Sequence, residues 1–285
     1  MVSCMNQGKD EFVIKIELEE KMLLKNVIKE LKEIPRKLNL VKTKKLIPKL
    51  LEDTTIRAAL NAANIMVTDY LKYNDHGWHH AVIATRNAIK ILSVIRDYIK
   101  PHIVKYRHGN FDDAMFVTAI AAFLHDLGNV VHRDHHWQMS VSIAKPIIWD
   151  YINEFYSKES EEKKWKIFAH IANAIFSHDE AVQAFTIEAS AVKVGDGCDM
   201  AAGRSRRPYS LGKVDIHSVS ALSIKDVDIL PGTSEKPLLI KVDMTNPAGI
   251  FQIEEVLMGK LNTSLLKDKT TIDVTVRGKQ IRLYK

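Results

Sequence analysis

The chain has 285 residues, with 41 Lys and Arg against 35 Asp and Glu and a net charge of +6. Its hydrophobic fraction of 46% is enough for a sizeable core, while no apolar run approaches the roughly 18 residues of a membrane span and we recognise no signal peptide. The two cysteines, Cys4 and Cys198, are too few for a disulfide scaffold or a cysteine-based zinc site, so we expect a reduced, cytoplasmic protein.

The excess positive charge belongs to the N-terminal segment. Between Lys15 and Lys49 there are eleven Lys and Arg and five Asp and Glu, and the rest of the chain is balanced. An apolar helical stripe lies opposite a row of lysines; the stripe is Leu24, Val27, Ile28 and Leu31, and the row is Lys21, Lys25, Lys29 and Lys32. We therefore predict a basic helical segment over 1–50 that packs on or leads into the next domain. It either attracts RNA or is a solvated helix face, and we favour the second interpretation.

Helical periodicity continues to about residue 200. Apolar residues recur at intervals of three and four positions in successive segments, which is typical of amphipathic helices. The predicted helices run from Ile56 to Tyr70 after a break at Pro48, from near His80 to before Pro101, over Ala114–Leu124, around Trp137–Phe155 and Trp165–Phe176, and from Phe185 into Asp199.

The pattern changes after the polar stretch 203–213. The segments 238–244 and 272–276 alternate apolar and polar residues as half-buried strands do, and Gly278 separates the second from a further short strand. Asn246 and Pro247 suit the cap and first turn of an intervening helix. The fold class predicted is therefore mainly α, with a helical domain over 51–210 and a small α+β appendage over 211–285.

The segment AAFLHDLGN places His125 and Asp126 at the inner end of a helix that is apolar on every side. Between Ala114 and Leu124 only Thr118 is polar. Burying a carboxylate is costly unless something compensates its charge. A divalent cation would offset the charge of Asp126 and bind a nitrogen of His125.

Further candidate ligands occur along the helical region. Imidazole and carboxylate groups without thiolates suit a catalytic Mn, Fe, Ni or Mg site better than a structural zinc site. These candidates are His76, His80, His136, His178, Asp179, Asp196 and Asp199. Isolated histidines are more often surface or core residues, and we assign that role to His79, His132, His135 and His170.

A separate histidine, an adjacent His-Asp pair and a later aspartate, each near a helix end, resemble the motifs of the HD-domain metal-dependent phosphohydrolases. In this chain they are His80, His125–Asp126 and Asp196. The similarity is greatest to the HD domain of ribonuclease Y and related archaeal HD phosphohydrolases, whose HDIGK, SHVEIG, SHH and AADAL follow the same order as HDLGN, HHWQMS, SHDE and VGDGC here. It covers roughly His76 to Arg207 and implies an HD-domain helical bundle.

The resemblance implies one or two divalent metal ions, with Mn²⁺ or Fe²⁺ favoured over Mg²⁺ or Ni²⁺. The implied ligands are His80, His125, Asp126 and Asp196 for one ion and His136 and His178 for a second, with Asp126 bridging. Asp179 replaces the second histidine of the SHH motif. Either the second ion is held weakly or Asp179 binds it directly.

Other residues are candidates for catalysis and substrate binding. His76 lies four residues before His80, the spacing of the general acid in distant relatives of HD domains, and the alternative is that it caps the helix. Asn129 replaces a lysine that is common after the His-Asp pair, which would alter phosphate contacts. Three arginines, which either clamp phosphate or form a surface loop, are Arg204, Arg206 and Arg207.

These residues together predict an enzyme of the HD superfamily. It would be a phosphodiesterase or phosphomonoesterase acting on a nucleotide or RNA phosphoester through a metal-activated water, with Asp126 positioning the nucleophile. The alternative is a nucleic-acid-binding or partner-binding protein with a structural metal site and no turnover. We expect no membrane partner, and homo-oligomerisation stays open.

Overall fold

The computed structural model describes residues 22–201 and 216–284. Within these ranges the protein is mainly helical and carries a small four-stranded sheet toward its C-terminal end. None of the helices described is long and apolar enough to cross a membrane. The predicted combination of a mainly helical chain with C-terminal strands is confirmed at this level.

The helical part contains nine α-helices among the described residues. They are α1 (22–37), α2 (Val41–Glu52), α3 (Thr54–Asn64), α4 (Trp78–Ile95), α5 (His102–Lys105), α6 (Phe111–Leu124), α7 (His136–Phe155), α8 (Glu161–Phe176) and α9 (Ile187–Gly197). A π-helical segment, Ile65–Tyr70, extends α3, and a 3₁₀ turn, Leu127–Val130, follows α6.

Pro48 does not break the chain as predicted but lies inside α2. A proline in a helix interior removes one backbone hydrogen bond and costs about 3 kcal/mol. Burial of an apolar face that includes Leu46, Ile47 and Leu50 offsets that cost. On α1, likewise, Val27 and Leu31 are buried while Lys25 and Lys29 are exposed, the arrangement of a solvated helix face.

The N-terminus of α2 is held by a residue of α6. The backbone N–H groups of Val41, Lys42 and Thr43 all donate to the carboxylate of Asp112, at 2.7 to 3.0 Å. These groups have no partner within their own helix, and a carboxylate there also interacts favourably with the helix dipole. Asp112 therefore joins the N-terminal helices to the centre of the molecule.

Helix α6 is the central helix of the protein. Every residue from Ala114 to Leu124 is buried, and α2, α4, α8 and α9 pack around it. A helix that is apolar on all sides is stable only when enclosed in this way. Because the ends of α4, α6 and α9 approach one another at the same place, this packing brings His80, His125 and Asp196 together.

The sheet has the strand order β1-β2-β3-β4 and includes one strand that we did not predict. Its strands are β1 (Ile224–Pro231), β2 (Leu238–Met244), β3 (Thr270–Val276) and β4 (Lys279–Tyr284). A register irregularity between Ile224 and Asp226 interrupts the alternation of β1, which hides the strand in the sequence. A short helix, α10 (Ile216–Leu222), precedes it.

A helical run over 247–262, here called α11, connects β2 to β3. These two strands are parallel, so a crossover is required between them. Asn246 caps the run through Ala248 N–H, with Pro247 in the first turn, as the sequence predicts. The run includes a π-helical turn, Ile253–Leu257, and ends as the α-helical segment Met258–Asn262.

The buried hydrophobic residues of the helices and the sheet form one continuous cluster. β1 packs on α4, and the end of α11 packs on α9. The residues after 216 therefore lie against the same helices that carry the histidines. The domain boundaries at residues 50 and 210 stay predictions.

Candidate metal centre

The predicted ligands come from the ends of five helices. His80 lies in the first turn of α4, the His125–Asp126 pair ends α6, and His136 begins α7. His178 follows α8, and Asp196 lies in the last turn of α9. All six side chains are buried. The structure brings the full predicted ligand set into one cluster.

Asp126 lies at the middle of this cluster and turns its two oxygens in different directions. Oδ2 is 3.4 Å from Nε2 of both His80 and His125. Oδ1 is 3.4 Å from Nε2 of His136 and 3.8 Å from Nε2 of His178. One carboxylate thus lies between two pairs of histidines, which is the arrangement that a bridging ligand requires.

Asp196 completes the first pair. Its Oδ1 is 3.1 Å from Nε2 of His80 and 3.8 Å from Nε2 of His125. Three overlapping sets of ligand atoms lie close enough together to hold a cation. They are His76, His80 and Asp126; His80, His125 and Asp196; and His125, Asp126 and His178.

Hydrogen bonds on the outer side of the cluster orient four of the rings. Each ring directs Nδ1 at an oxygen acceptor: His80 at Asp199 Oδ2, His125 at Ala122 O, His136 at Arg133 O and His178 at Ile175 O, at 2.6 to 2.9 Å. An Nδ1–H that donates outward leaves Nε2 of a neutral ring as an acceptor. Metal-binding histidines have this arrangement.

The Nε2 atoms then meet in two pairs. Nε2 of His80 is 3.1 Å from Nε2 of His125, and Nε2 of His136 is 3.1 Å from Nε2 of His178. Two lone pairs at this distance repel each other unless a positive charge lies between or beside them. The donor set therefore fits one or two divalent cations bound by imidazole and carboxylate.

The charge states of the cluster agree with a metal centre. Burial alone would raise the pKa of Asp126, but the adjacent His125 and His76 outweigh burial and hold that pKa well below its usual range. Burial, together with the neighbouring His125 and His136, lowers the pKa of His178 well below its usual value. Without a cation, the positive charge beside Asp126 comes from neighbouring imidazoles, a charge that a bound metal would supply instead. The carboxylate is therefore ionised and His178 is neutral, the forms that bind metal.

His76 contacts the cluster by a different nitrogen. Its Nδ1 lies 2.7 Å from Asp126 Oδ2, while its backbone N–H donates to Asn64 Oδ1. The cap position of α4 is Gly77, and no side chain caps it. The side chain of His76 is thus directed at the candidate centre and not at the helix end.

Asn129 and Arg133 lie beside the His136 pair. Asn129 is buried, and its Nδ2 donates to Asp126 Oδ1 at 2.9 Å, so this amide holds the carboxylate. Arg133, which sequence reasoning missed, donates to Asn129 Oδ1 at 3.2 Å and lies 3.4 Å from His136 Nε2. Asp179 is not part of the three ligand sets given above. Its carboxylate accepts from Ala181 N–H in a turn.

Two more residues at the centre were not among the implied ligands or catalytic residues. Asp199 accepts from His80 Nδ1 at 2.6 Å and so orients that ring. Lys260 of α11 donates to Asp196 Oδ2 at 2.6 Å. Asp199 was detectable by its position three residues after Asp196, just beyond the end of α9, whereas nothing local in the sequence marks Lys260.

The remaining predicted residues fall in two groups. His79, His132 and His135 are exposed, and His170 faces His108 away from the centre, with a ring nitrogen distance of 3.1 Å. The three arginines proposed to contact phosphate, Arg204, Arg206 and Arg207, lie outside the described residues, as does Lys21 of the basic segment.

The fold and the cluster define a mainly helical protein with a buried His/Asp group able to bind metal. No family model matches the chain, and no solved structure matches it. "Uncharacterized protein MJ1020" of Methanocaldococcus jannaschii is 42% identical over 232 residues, which cover 79% of this chain and 88% of the relative. The chain therefore belongs to the same family as the MJ1020 protein.

Proposed function

We propose that the protein is a divalent-metal-dependent phosphohydrolase of the HD type. The observation that carries this proposal is the position of Asp126, a buried carboxylate whose two oxygens face two separate pairs of histidine Nε2 atoms. Bound Mn²⁺ or Fe²⁺ would acidify a water molecule and offset the negative charge of a phosphoester. The HD resemblance, with the His-Asp pair and Asp196 in the expected order, supports the same reaction class.

The side chains around the cluster have distinct roles in this proposal. Asp126 accepts a hydrogen bond from the attacking water and keeps it directed at phosphorus. His76, held by Asp126 at 2.7 Å, donates a proton to the leaving oxygen. Arg133 is partly exposed, with a side chain 28% accessible, and its guanidinium binds a non-bridging phosphate oxygen.

The substrate proposed is a nucleotide or RNA phosphoester. Two basic side chains, Arg133 and Lys260, lie beside the buried carboxylates and favour an anionic substrate. The exposed Lys25 and Lys29 of α1 would contribute if the substrate is RNA. In that case affinity falls steeply as salt concentration rises, because phosphate contacts release counterions.

Metal content and turnover on chromogenic esters test this function. Purified protein should contain or take up Mn²⁺, and it should hydrolyse p-nitrophenyl phosphate or bis(p-nitrophenyl) phosphate in a reaction that chelation abolishes. Stoichiometric metal without turnover on either ester, or on a nucleotide panel, would instead support a binding protein with a structural metal. Absence of metal uptake would contradict both functions.

Asp126→Asn is the most specific variant for this test. The amide keeps the size of the side chain but loses the charge that balances the cations, so we expect activity to fall at least about a hundredfold. Metal occupancy should fall most at the His136 and His178 position, while the circular dichroism spectrum stays helical. Asp134→Asn, at a side chain 81% exposed, is the matched control. Full activity of Asp126→Asn with two metals bound would refute the mechanism.

A further inference from the structure

Lys260 reaches from α11 into the candidate metal centre. Its Nζ donates to Asp196 Oδ2 at 2.6 Å and to the backbone oxygen of His178 at 3.0 Å. Its side chain is only 13% exposed. Asp196 belongs to the first group of ligands and His178 to the second. One ammonium group therefore contacts both halves of the centre from an element that lies 64 residues further along the chain than Asp196.

The attachment of α11 to α9 does not depend on this lysine alone. Lys193 of α9 is fully buried and donates in the opposite direction, to Thr263 Oγ1 at 2.7 Å and to Thr263 O at 3.2 Å. Its Nζ also donates to Val182 O. Leu257 and Leu261 bury apolar surface at the same interface. The place of Lys260 in the fold is therefore held by other contacts, and its charge can be removed separately.

The two oxygens of Asp196 have different partners. Oδ1 faces Nε2 of His80 at 3.1 Å and Nε2 of His125 at 3.8 Å, while Oδ2 is taken by Lys260. With Oδ2 occupied, the carboxylate can offer a single oxygen toward the histidines. A cation bound there would share one carboxylate with the ammonium group, and two positive charges a few ångströms apart in a buried site repel each other.

We propose that the charge of Lys260 sets the metal affinity of the first position, formed by His80, His125 and Asp196: the ammonium group holds Asp196 Oδ2 and competes with a divalent cation for that carboxylate. This proposal rests on the proposed function only for the existence of a metal site. It implies that the C-terminal region is part of the centre. Without bound metal, Lys260 supplies the positive charge that a buried Asp196 needs.

The test compares Mn²⁺ binding and thermal unfolding in full-length variants. Lys260→Met should bind the first Mn²⁺ at least about tenfold more tightly, because the competing charge is gone. Its melting temperature should fall clearly without metal and much less at saturating Mn²⁺, since the cation then replaces the ammonium group as counterion. Lys260→Arg keeps the charge and should restore the affinity of the wild type.

Two further variants keep the experiment decisive. Lys260→Gln retains a donor to Asp196 without the charge, and it should also bind Mn²⁺ more tightly if the methionine variant does not fold. Lys267→Met, at an exposed lysine just beyond α11, should behave like the wild type. Unchanged or weaker Mn²⁺ binding in both neutral variants, or equal losses of stability with and without metal, would overturn the proposal. If Mn²⁺ affinity and melting temperature change as expected but no variant, and not the wild type, hydrolyses esters, the proposed hydrolase activity would be refuted and the role of Lys260 would stand.

Discussion

The orientation of single histidine rings determines whether this cluster can bind a cation. Four rings donate through Nδ1 to an outer oxygen, and in three of them that oxygen is a backbone carbonyl close by in the sequence. His80 differs, because its acceptor is the carboxylate of Asp199, which lies just beyond the end of α9. A carboxylate that accepts from a ligand histidine fixes the tautomer and makes the ring a stronger ligand.

Asp199→Asn should therefore weaken metal binding although Asp199 does not face the histidine Nε2 atoms. We expect a loss of about 10-fold to 100-fold in Mn²⁺ affinity, the range measured for such outer partners. Calorimetric titration measures it. The matched control is Asp179→Asn, whose carboxylate accepts from Ala181 N–H in a turn and should leave affinity unchanged. Unchanged affinity in Asp199→Asn would show that His80 needs no partner, and a large loss in Asp179→Asn would make Asp179 a ligand.

Between elements, a close backbone approach at the centre joins the 3₁₀ turn to α7. Gly128, directly after the His-Asp segment, donates its N–H to Ser140 Oγ at 2.8 Å. A Cβ added there would lie 1.9 Å from the backbone oxygen of His136 and 2.6 Å from the backbone nitrogen of Ser140. Because backbone atoms cannot yield as side chains do, only glycine allows this contact.

Gly128→Ala should separate the turn from α7. We expect a loss of about 3 kcal/mol in the free energy of unfolding, at the upper end of overpacking effects. Because His136 moves with α7, the second metal position should lose its ion first. Urea denaturation and Mn²⁺ stoichiometry measure the two effects. Gly197→Ala is the control, since its Cβ would meet only flexible side chain and ordinary contacts, with Lys260 Cδ at 3.1 Å. Equal stability losses in both variants would contradict this interpretation.

For the whole molecule, Asp113 links several helices around the start of α6. It lies 3.1 Å from Lys42 Nζ and 3.2 Å from Lys163 Nζ, and it accepts from Tyr156 Oη at 2.7 Å. Burial alone would raise the pKa of Asp113. The hydrogen bonds from Asn110 N–H, Tyr156 and Lys42 outweigh burial and hold the pKa below its usual value.

The lowered pKa of Asp113 predicts how acid affects the stability of the fold. A carboxylate whose pKa is lower in the folded protein stabilises the fold above its unfolded pKa, about 3.9, and that contribution is lost as pH falls through the folded value. Asp113→Asn should cost about 2 kcal/mol at pH 7. The difference from wild type should shrink below about pH 4. Denaturation at several pH values measures this change.

Asp97→Asn, at a side chain 77% exposed, should match the wild type throughout the pH series. A difference between Asp113→Asn and the wild type that stays constant down to pH 2.5 would contradict the assigned pKa direction. The same pH series therefore tests both the size of the contribution of Asp113 to the free energy of unfolding and the direction in which it changes with pH.

Local patterns in the sequence were sufficient for much of the helical architecture. The apolar run ending at Leu124 predicts an enclosed helix with His125 and Asp126 at its inner end, and the structure places them there. Capping of α11 by Asn246 was also predictable, because the cap residue and its helix are neighbours in the chain. The helix through Pro48 was not predictable, because burial of the apolar face of that helix against the rest of the protein outweighed the local cost of the proline.

The candidate centre was likewise predictable from the sequence only in part. The kinds of residue that gather there, and their places at helix ends, could be read from spacing and from the HD resemblance. The tertiary structure alone decided that Asp126 turns one oxygen to each histidine pair, that Asp199 orients His80 and that Lys260 meets Asp196. Periodicity records which face of an element is buried. It does not record which distant side chain meets that face, because that contact depends on how whole helices pack and which rotamers the packing leaves.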